Sequence, residues 1–184
     1  FRVSFSLTGL VVEQFRQWAP EVLDLFRELA ETGCVEFIAE TYYHSMSFLY
    51  SRDEFMYQTE MHCKLMEELF DQRPKVFRNT ELTYNNDVAR AVEDMGFDAI
   101  LTEGADHILG YRSPNFIYNP PNCAELRMLL KNYRLSDDVA FRFSNRDWPG
   151  WPVTAEKFAG WVGETNGEGH VCNLFMDFET FGEH

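Results

Sequence analysis

Short apolar runs typical of β-strands alternate along this chain with longer amphipathic runs typical of helices, and this alternation constrains the fold more than any other feature. Strands are predicted over residues 2–6, 34–39, 75–79, 97–101, 126–133 (where a helix is the alternative) and 171–176. Helices are predicted over residues 21–31, 53–70, 86–95, 136–143 and 154–164, with Ser136 and Thr154 as N-caps of the last two. Parallel strands joined by crossover helices form either a barrel or a doubly wound sheet.

Polar side chains follow nearly every predicted strand at its carboxyl end, and their position helps to choose between these two folds. These side chains are Glu40, Tyr42, Tyr43, His44, Thr80, Glu81, Thr102, Glu103, Asp106, His107, Asn132, Arg134, Asp177 and Glu179. In parallel barrels the active site is assembled at that edge from several strands. A doubly wound nucleotide-binding sheet carries a glycine-rich turn after its first strand, and neither GxGxxG nor GxxxxGK occurs here. We therefore expect an α/β barrel, open or closed, of six or more strands.

Length and charge narrow the class of protein further. The 184 residues are enough for one domain with a hydrophobic core, so we expect a single domain over residues 1–184. Acidic residues outnumber basic ones 30 to 16, and a formal net charge of −14 repels a nucleic-acid backbone. No apolar run approaches the ~20 residues of a membrane-spanning helix. Neither nucleic acid nor a membrane is therefore an expected partner, and the oligomeric state is left open.

The cysteines and histidines carry no metal-binding or disulfide pattern. The four cysteines are scattered without a CxxC pair, which favours free thiols in a reducing compartment, so the cytoplasm is the expected location. The five histidines show neither HxxxH nor HExxH spacing, so we expect no metal and no other cofactor. Because the chain begins at Phe1 without an initiator methionine, we expect it to be an internal part of a longer protein.

Two acidic residues stand out because each ends a predicted strand among small or polar neighbours. Glu81 lies in the segment VFRNTEL, and Asp177 lies in LFMDFETFGEH. Glycoside cleavage requires one carboxylate that attacks or stabilises the anomeric carbon and a second carboxyl group that protonates the departing oxygen. The alternative is structural, because acids at strand ends often cap the next helix. From position alone, both interpretations of this pair remain open.

Four stretches of the chain resemble the α-amylase-like branch of glycoside hydrolase family 57. They are GCVEFIAETYYH at 33–44, FRNTEL at 77–82, TEGADHIL at 102–109 and DFETFGEH at 177–184. The similarity runs through essentially the whole chain, and the last stretch is its most specific part.

The resemblance implies an incomplete (β/α)7 barrel and a retaining mechanism on α-glucans without a catalytic metal. It places Glu81 on the family's nucleophile, Asp177 on its acid/base and His44 on a polar residue of the substrate site. The family's first strand, with its His-x-Pro motif, would precede Phe1, and its fifth conserved region would follow His184. The 184 residues are then a partial catalytic barrel, and the isolated piece is not expected to have the full activity of the longer protein.

Further residues near these motifs are candidate substrate contacts. The predicted contacts are His44, Tyr43, Glu103, His107, Glu179 and His184. Glu103 is also the rival for the nucleophile, because it too ends a strand; the family pattern, which places the nucleophile one strand earlier, favours Glu81. For Asp106, a cleft role and a hydrogen-bonded loop anchor are both open.

Glu179 lies two residues from Asp177 and shares its face if the strand continues. It would then raise the pKa of Asp177 by like-charge repulsion, with a salt bridge to a neighbouring strand as the structural alternative.

Three other functions compete with an α-glucan hydrolase. A 4-α-glucanotransferase or another transglycosylase uses the same residues. A non-catalytic carbohydrate-binding relative would retain the fold alone, although the presence of both Glu81 and Asp177 argues against it. A metal-dependent polysaccharide deacetylase needs two histidines about one helical turn apart plus an aspartate, and the histidine spacing does not supply them.

Overall fold

The computed structural model describes residues 2–182, in which strands and helices alternate as the sequence predicts. The strands are β1 (Val3–Ser6), β2 (Val35–Ile38), β3 (Val76–Arg78), β4 (Ala99–Glu103) and β5 (Arg127–Lys131). The helices are α1 (Gly9–Trp18), α2 (Pro20–Glu31), α3 (Arg52–Phe70), α4 (Asn86–Asp94), α5 (Asp106–Leu109), α6 (Tyr133–Ala140) and α7 (Ala155–Glu164). Short 3₁₀ turns lie at Ser47–Leu49, Thr80–Leu82 and Phe178–Phe181.

The chain divides into two compact units. The first unit contains Phe1–Leu101 and Asn119–Arg127, and the second contains Thr102–Tyr118 and Met128–His184. The expected single catalytic domain over residues 1–184 stays a prediction.

The first unit is built around a parallel pair, β1 and β2, in which Val3 lies opposite Val35. Phe37 of β2 stacks on Phe70 of α3 with ring centroids 4.0 Å apart, and Phe5 meets Phe26 of α2 edge-on. The core contains Leu7, Val12, Leu23, Phe26, Val35, Phe37, Tyr42, Leu65, Met66 and Phe70. Burial of each of these large side chains contributes roughly 1.5–3 kcal/mol, so helices α1 to α3 are held against the strands by their apolar faces.

Three strands form a second sheet in the order β3-β4-β5. Strands β3 and β4 are parallel, with Phe77 opposite Ile100. A parallel bridge between Ala39 and Phe77 joins the chain that leaves β2 to β3. The chain segments that follow β2 and β3 therefore leave the strands side by side, in the same direction, within the first unit.

Helix ends follow local capping chemistry where the sequence supplies it. The Ser51 hydroxyl accepts a hydrogen bond from Glu54 N at the start of α3, and Thr154 does the same for Lys157 N at α7, as predicted. Helix α1 was not predicted; it begins where the Thr8 hydroxyl accepts from Val11 N.

Two predictions about the second unit were wrong. Helix α6 is capped by Asn132, whose side chain accepts from Leu135 N, and Ser136 is buried inside the helix instead. Residues 171–176 form no strand; a single-residue parallel bridge joins Asn173 to Lys131 at the end of β5. The Ser136 hydroxyl accepts from Phe175 N and the Asn173 amide donates to Leu130 O, so side-chain hydrogen bonds replace a ladder there.

The predicted α/β class with parallel strands is confirmed. The described strands form a two-stranded and a three-stranded sheet, and the incomplete seven-stranded barrel stays a prediction. Between residues 2 and 182, no helix is both long enough and apolar enough to cross a membrane.

Candidate active site

Two buried threonines tie together the turns that follow β2 and β3. The hydroxyl oxygens of Thr41 and Thr80 lie 3.2 Å apart, and both hydroxyls lie within hydrogen-bonding distance of the Ser45 carbonyl oxygen, at 3.2 and 2.9 Å. Thr41 also accepts from the Ser45 backbone N–H at 2.8 Å. Because Thr41 and Thr80 are almost completely buried, these bonds are shielded from water and hold the two turns in one relative position.

His44 lies between two carboxylates. Its Nδ1 atom is 2.9 Å from Oε2 of Glu40, and its Nε2 atom is 3.2 Å from Oε1 of Glu81. Its backbone is left-handed, with φ of 53°. The structure therefore brings together His44 and Glu81, which were predicted to belong to one site.

Glu81 occupies an uncommon backbone conformation. It lies in the 3₁₀ turn Thr80–Leu82 with φ of 54° and ψ of 28°, and the next residue, Leu82, also has a positive φ of 52°. Left-handed backbone is unfavourable for both of these side chains and persists only where the surroundings impose it. Here Leu82 is buried, while 74% of the Glu81 side chain is exposed. The turn thus fixes the backbone and presents the carboxylate to solvent.

Glu40 is the buried acid of this cluster, and only 1% of its surface is exposed. Its Oε1 atom accepts from the Ser6 hydroxyl at 2.7 Å, and Arg78 Nη1 lies 3.5 Å from Oε2. A buried carboxylate is stable only with such partners. From the sequence, Glu40 was a polar residue at a strand end; its spacing of four residues from His44 was the available signal.

The tyrosines after β2 have different surroundings. The Tyr42 hydroxyl donates to Oε1 of Glu13 at 2.7 Å, and burial together with the Glu13 carboxylate raises the pKa of Tyr42 to about 12. Tyr43 packs edge-on against Tyr42, with centroids 4.8 Å apart, and leaves half of its surface exposed. The Tyr43 ring is therefore accessible, and its sugar-binding role stays a prediction.

In the second unit, Glu103 ends β4 and is partly neutralised. Its carboxylate accepts from Gly104 N at 3.1 Å and lies 3.8 Å from Lys131 Nζ. His107 is exposed on α5.

Asp106, at the start of α5, accepts from Arg134 Nη2 at 2.6 Å and from the Tyr133 hydroxyl at 2.8 Å. These two donors, Arg134 first, lower the pKa of Asp106. The contacts are those of a loop anchor.

Asp177 and Glu179 are both exposed, at the 3₁₀ turn Phe178–Phe181. Asp177 is the residue before this turn, yet within the described residues its side chain makes no capping hydrogen bond. No strand continues through residues 177–179, so the condition under which both acids would share a strand face is not met. His184 lies outside the described residues. In the part of the chain that the structure covers, no three His, Cys, Asp or Glu side chains group as a metal site.

Comparison with known proteins gives the family. A sequence model described as Glycosyl hydrolase family 57 matches residues 1–184. A Methanocaldococcus jannaschii protein that bears a provisional alpha-amylase name is 54% identical over 185 residues. That match covers 100% of this chain and 39% of the relative, so the chain spans about two fifths of the relative's length.

Solved structures share the fold at low sequence identity. The 4-alpha-glucanotransferase of Thermococcus litoralis matches with a TM-score of 0.69 and 16% identity, over 100% of this chain and 34% of that one. A Mycobacterium smegmatis protein provisionally named a polysaccharide deacetylase matches with a TM-score of 0.60 and 19% identity, over 90% and 53%. These likenesses concern the fold alone. The assignment comes from the sequence model and the M. jannaschii relative: the chain belongs to glycosyl hydrolase family 57.

Proposed function

We propose that this chain is the part of a retaining α-glucan-active enzyme that carries both reacting carboxyl groups. Glu81 is the nucleophile and Asp177 is the acid/base in this proposal. The observation that carries it is the Glu81 turn, where a solvent-exposed carboxylate is held on left-handed backbone against His44. Family membership supports the choice of reaction, and the exposure of Asp177 leaves its carboxyl group accessible to a substrate.

The proposed reaction has two displacements. In the first, the Glu81 carboxylate forms a bond to the anomeric carbon as the glycosidic bond breaks, and the Asp177 carboxylic acid gives its proton to the leaving oxygen. In the second, the Asp177 carboxylate takes a proton from an incoming hydroxyl, whose oxygen attacks the anomeric carbon and releases Glu81. The anomeric configuration is retained because it inverts twice.

The incoming group decides the type of enzyme. Water makes it an α-amylase-like hydrolase, and a sugar hydroxyl makes it a 4-α-glucanotransferase or another transglycosylase. We place the hydrolase first because the 54% identical relative carries an alpha-amylase name. Product analysis with maltooligosaccharides separates the two: a hydrolase releases one new reducing end per bond cleaved, and a transferase redistributes chain lengths at a constant number of reducing ends.

The remaining site residues complete the proposal. We assign sugar contacts to His44, Tyr43, Glu103, His107, Glu179 and His184, in an incomplete (β/α)7 barrel that forms a single catalytic domain. We keep the cytoplasm as the compartment, because all four cysteines are unpaired thiols.

Azide rescue tests the two catalytic roles in the native-length protein. With α-maltosyl fluoride as the donor, Glu81→Gly is expected to lose turnover and to regain it in azide, giving β-maltosyl azide by a single inversion. Asp177→Ala is expected to give α-maltosyl azide, since the Glu81 ester still forms. Wild-type turnover by Glu81→Gly, or the opposite anomers, contradicts the assignment; turnover by neither wild type nor variants favours the carbohydrate-binding alternative.

A further inference from the structure

The buried Glu40 carboxylate is the ionisable group beside Glu81 that the proposed reaction leaves without a role. It lies two residues beyond β2 and is held from β1 by the Ser6 hydroxyl and from the end of β3 by Arg78. Its Oε2 atom also faces Nδ1 of His44. Burying a carboxylate is costly even when it is paired, so a group kept in this position calls for an explanation beyond stability.

We propose that Glu40 is a positioning residue for Glu81 and that it acts through His44. This inference rests on the proposed role of Glu81 as nucleophile. Glu40 does not reach the substrate in this proposal, because it is buried beneath the histidine; its effect passes through the imidazole ring to the Glu81 carboxylate.

The geometry gives the physical reason. Three contacts fix the Glu40 carboxylate, and its bond to Nδ1 fixes the direction of the His44 ring. Nε2 then points at Oε1 of Glu81 at 3.2 Å. Glu81 has a long, mostly exposed side chain that otherwise samples several rotamers. Holding it in one of them keeps the attacking oxygen in place, and small misplacements of a reacting group cost on the order of 10²-fold in rate.

Glu36 of β2 offers a matched control in the same segment of the chain. It lies four residues before Glu40, and its carboxylate accepts a hydrogen bond from the Ser4 hydroxyl, just as that of Glu40 accepts from Ser6. Glu36 is exposed, however, and its hydrogen bond is longer, at 3.4 Å against 2.7 Å. Glu36→Gln therefore makes the same chemical change without touching the His44 contact.

A double-mutant cycle in the native-length protein tests the proposal, with α-maltosyl fluoride as substrate. Glu40→Gln is expected to lower kcat by roughly 10- to 100-fold with KM nearly unchanged, and Glu36→Gln is expected to change neither. In the Glu81→Gly background with azide, where no carboxylate remains to be positioned, Glu40→Gln is expected to have no further effect. The same fold loss in both backgrounds makes Glu40 a structural residue and overturns the proposal.

His44→Asn provides a second route that leaves the Glu40–Arg78 pair intact. Asparagine tolerates left-handed backbone, so this variant keeps the turn while removing the ring. Because His44 is also assigned a sugar contact, its loss of kcat is expected to be at least that of Glu40→Gln, and Glu40→Gln is expected to add no further loss in the His44→Asn background. Additive losses contradict the proposal, and thermal unfolding of each variant identifies any that does not fold. If Glu81→Gly itself keeps wild-type turnover, Glu81 is not the nucleophile. That result contradicts the proposed function, and it is distinguishable from a failure of the Glu40 proposal alone.

Discussion

Nε2 of His44 and Oε1 of Glu81 lie 3.2 Å apart although 37 positions separate the two residues in the sequence. The contact exists because β2 and β3 are neighbours through the Ala39–Phe77 bridge and because both residues adopt left-handed backbone just beyond those strands. Strained backbone concentrated at two touching polar residues is a common property of functional sites. It leads to a prediction about stability as well as one about activity.

Replacement of Glu81 is expected to separate stability from function. Glu81→Gly fits φ of 54° without the penalty that a Cβ brings, whereas Glu81→Ala keeps it. Glu81→Gly is therefore expected to be more stable than Glu81→Ala by about 0.5–1 kcal/mol, after the greater chain entropy of glycine is subtracted. Chemical denaturation measures both.

The control for the Glu81 pair is the exposed Glu36 of β2, which lies in ordinary strand backbone. There the order is expected to reverse, with Glu36→Ala more stable than Glu36→Gly, because glycine weakens strand interiors. If alanine is the more stable variant at position 81 as well, the Glu81 turn stores no strain.

The threonine pair beneath the site is expected to support both folding and turnover. Thr80→Val keeps the side-chain shape but removes the hydroxyl that contacts Ser45 O and Thr41. Leaving buried polar atoms without that partner is expected to cost about 1–3 kcal/mol of unfolding free energy. Turnover is expected to fall as well, because the two turns lose their common anchor.

Thr59→Val is the matched control for Thr80→Val. Thr59 is as buried, but its hydroxyl donates within its own helix, to Phe55 O one turn earlier in α3. A smaller stability loss and unchanged turnover are expected. Equal losses at both positions mean that the threonine pair has no special part in holding the site.

The order of strands and helices was predictable from the sequence, because β2 and α3 carry apolar residues at the spacing of their element. Local chemistry also competed with that pattern. The apolar run 171–176 has the composition of a strand, yet side chains make hydrogen bonds where a strand would pair its backbone. The Asn173 amide donates to Leu130 O, and the Ser136 hydroxyl accepts from Phe175 N. Helix α1 was missed because Val11 and Val12 are β-branched, and only the Thr8 cap marks its start.

The site was predictable residue by residue but not as a network. The motifs singled out Glu81 and His44 separately, and their contact depends on strand pairing that no local pattern encodes. The place of Glu40 in the network was overlooked because burial of an acid depends on tertiary packing: Glu36, four residues earlier in β2, is exposed.

The loop over residues 119–126 is expected to depend on ionised Glu93. Its Oε1 atom accepts from the backbone N–H groups of Ala124, Glu125 and Leu126 at 2.7, 2.8 and 3.2 Å, and these bonds lower the pKa of Glu93. A lowered folded-state pKa means that the stabilisation is present above the unfolded-state pKa and is lost as pH falls through the folded-state pKa.

The stability difference between wild type and Glu93→Gln is therefore expected to be constant near neutral pH and to shrink below about pH 4, the ordinary glutamate range. Urea denaturation at several pH values measures it, with exposed Glu28→Gln on α2 as the control. The measurements are spaced about one pH unit apart, from roughly pH 3 to roughly pH 7. If the stability difference between wild type and Glu93→Gln is the same at every pH, the Glu93 charge does not stabilise the loop.

Glu103 and Glu81 are expected to respond differently to the same isosteric change. Glu81→Gln removes the proposed nucleophile and is expected to lower kcat by at least about 10³-fold. Glu103 lies 3.8 Å from Lys131 and accepts from Gly104 N, so its charge is already engaged. Glu103→Gln is expected to raise KM for a maltooligosaccharide several-fold while kcat stays within about threefold, as for a group that binds ground state and transition state alike. Steady-state kinetics with both variants measures this split. If Glu103→Gln loses as much kcat as Glu81→Gln, and azide rescues Glu103→Gly rather than Glu81→Gly, the nucleophile is Glu103 and the contact between His44 and Glu81 serves substrate binding.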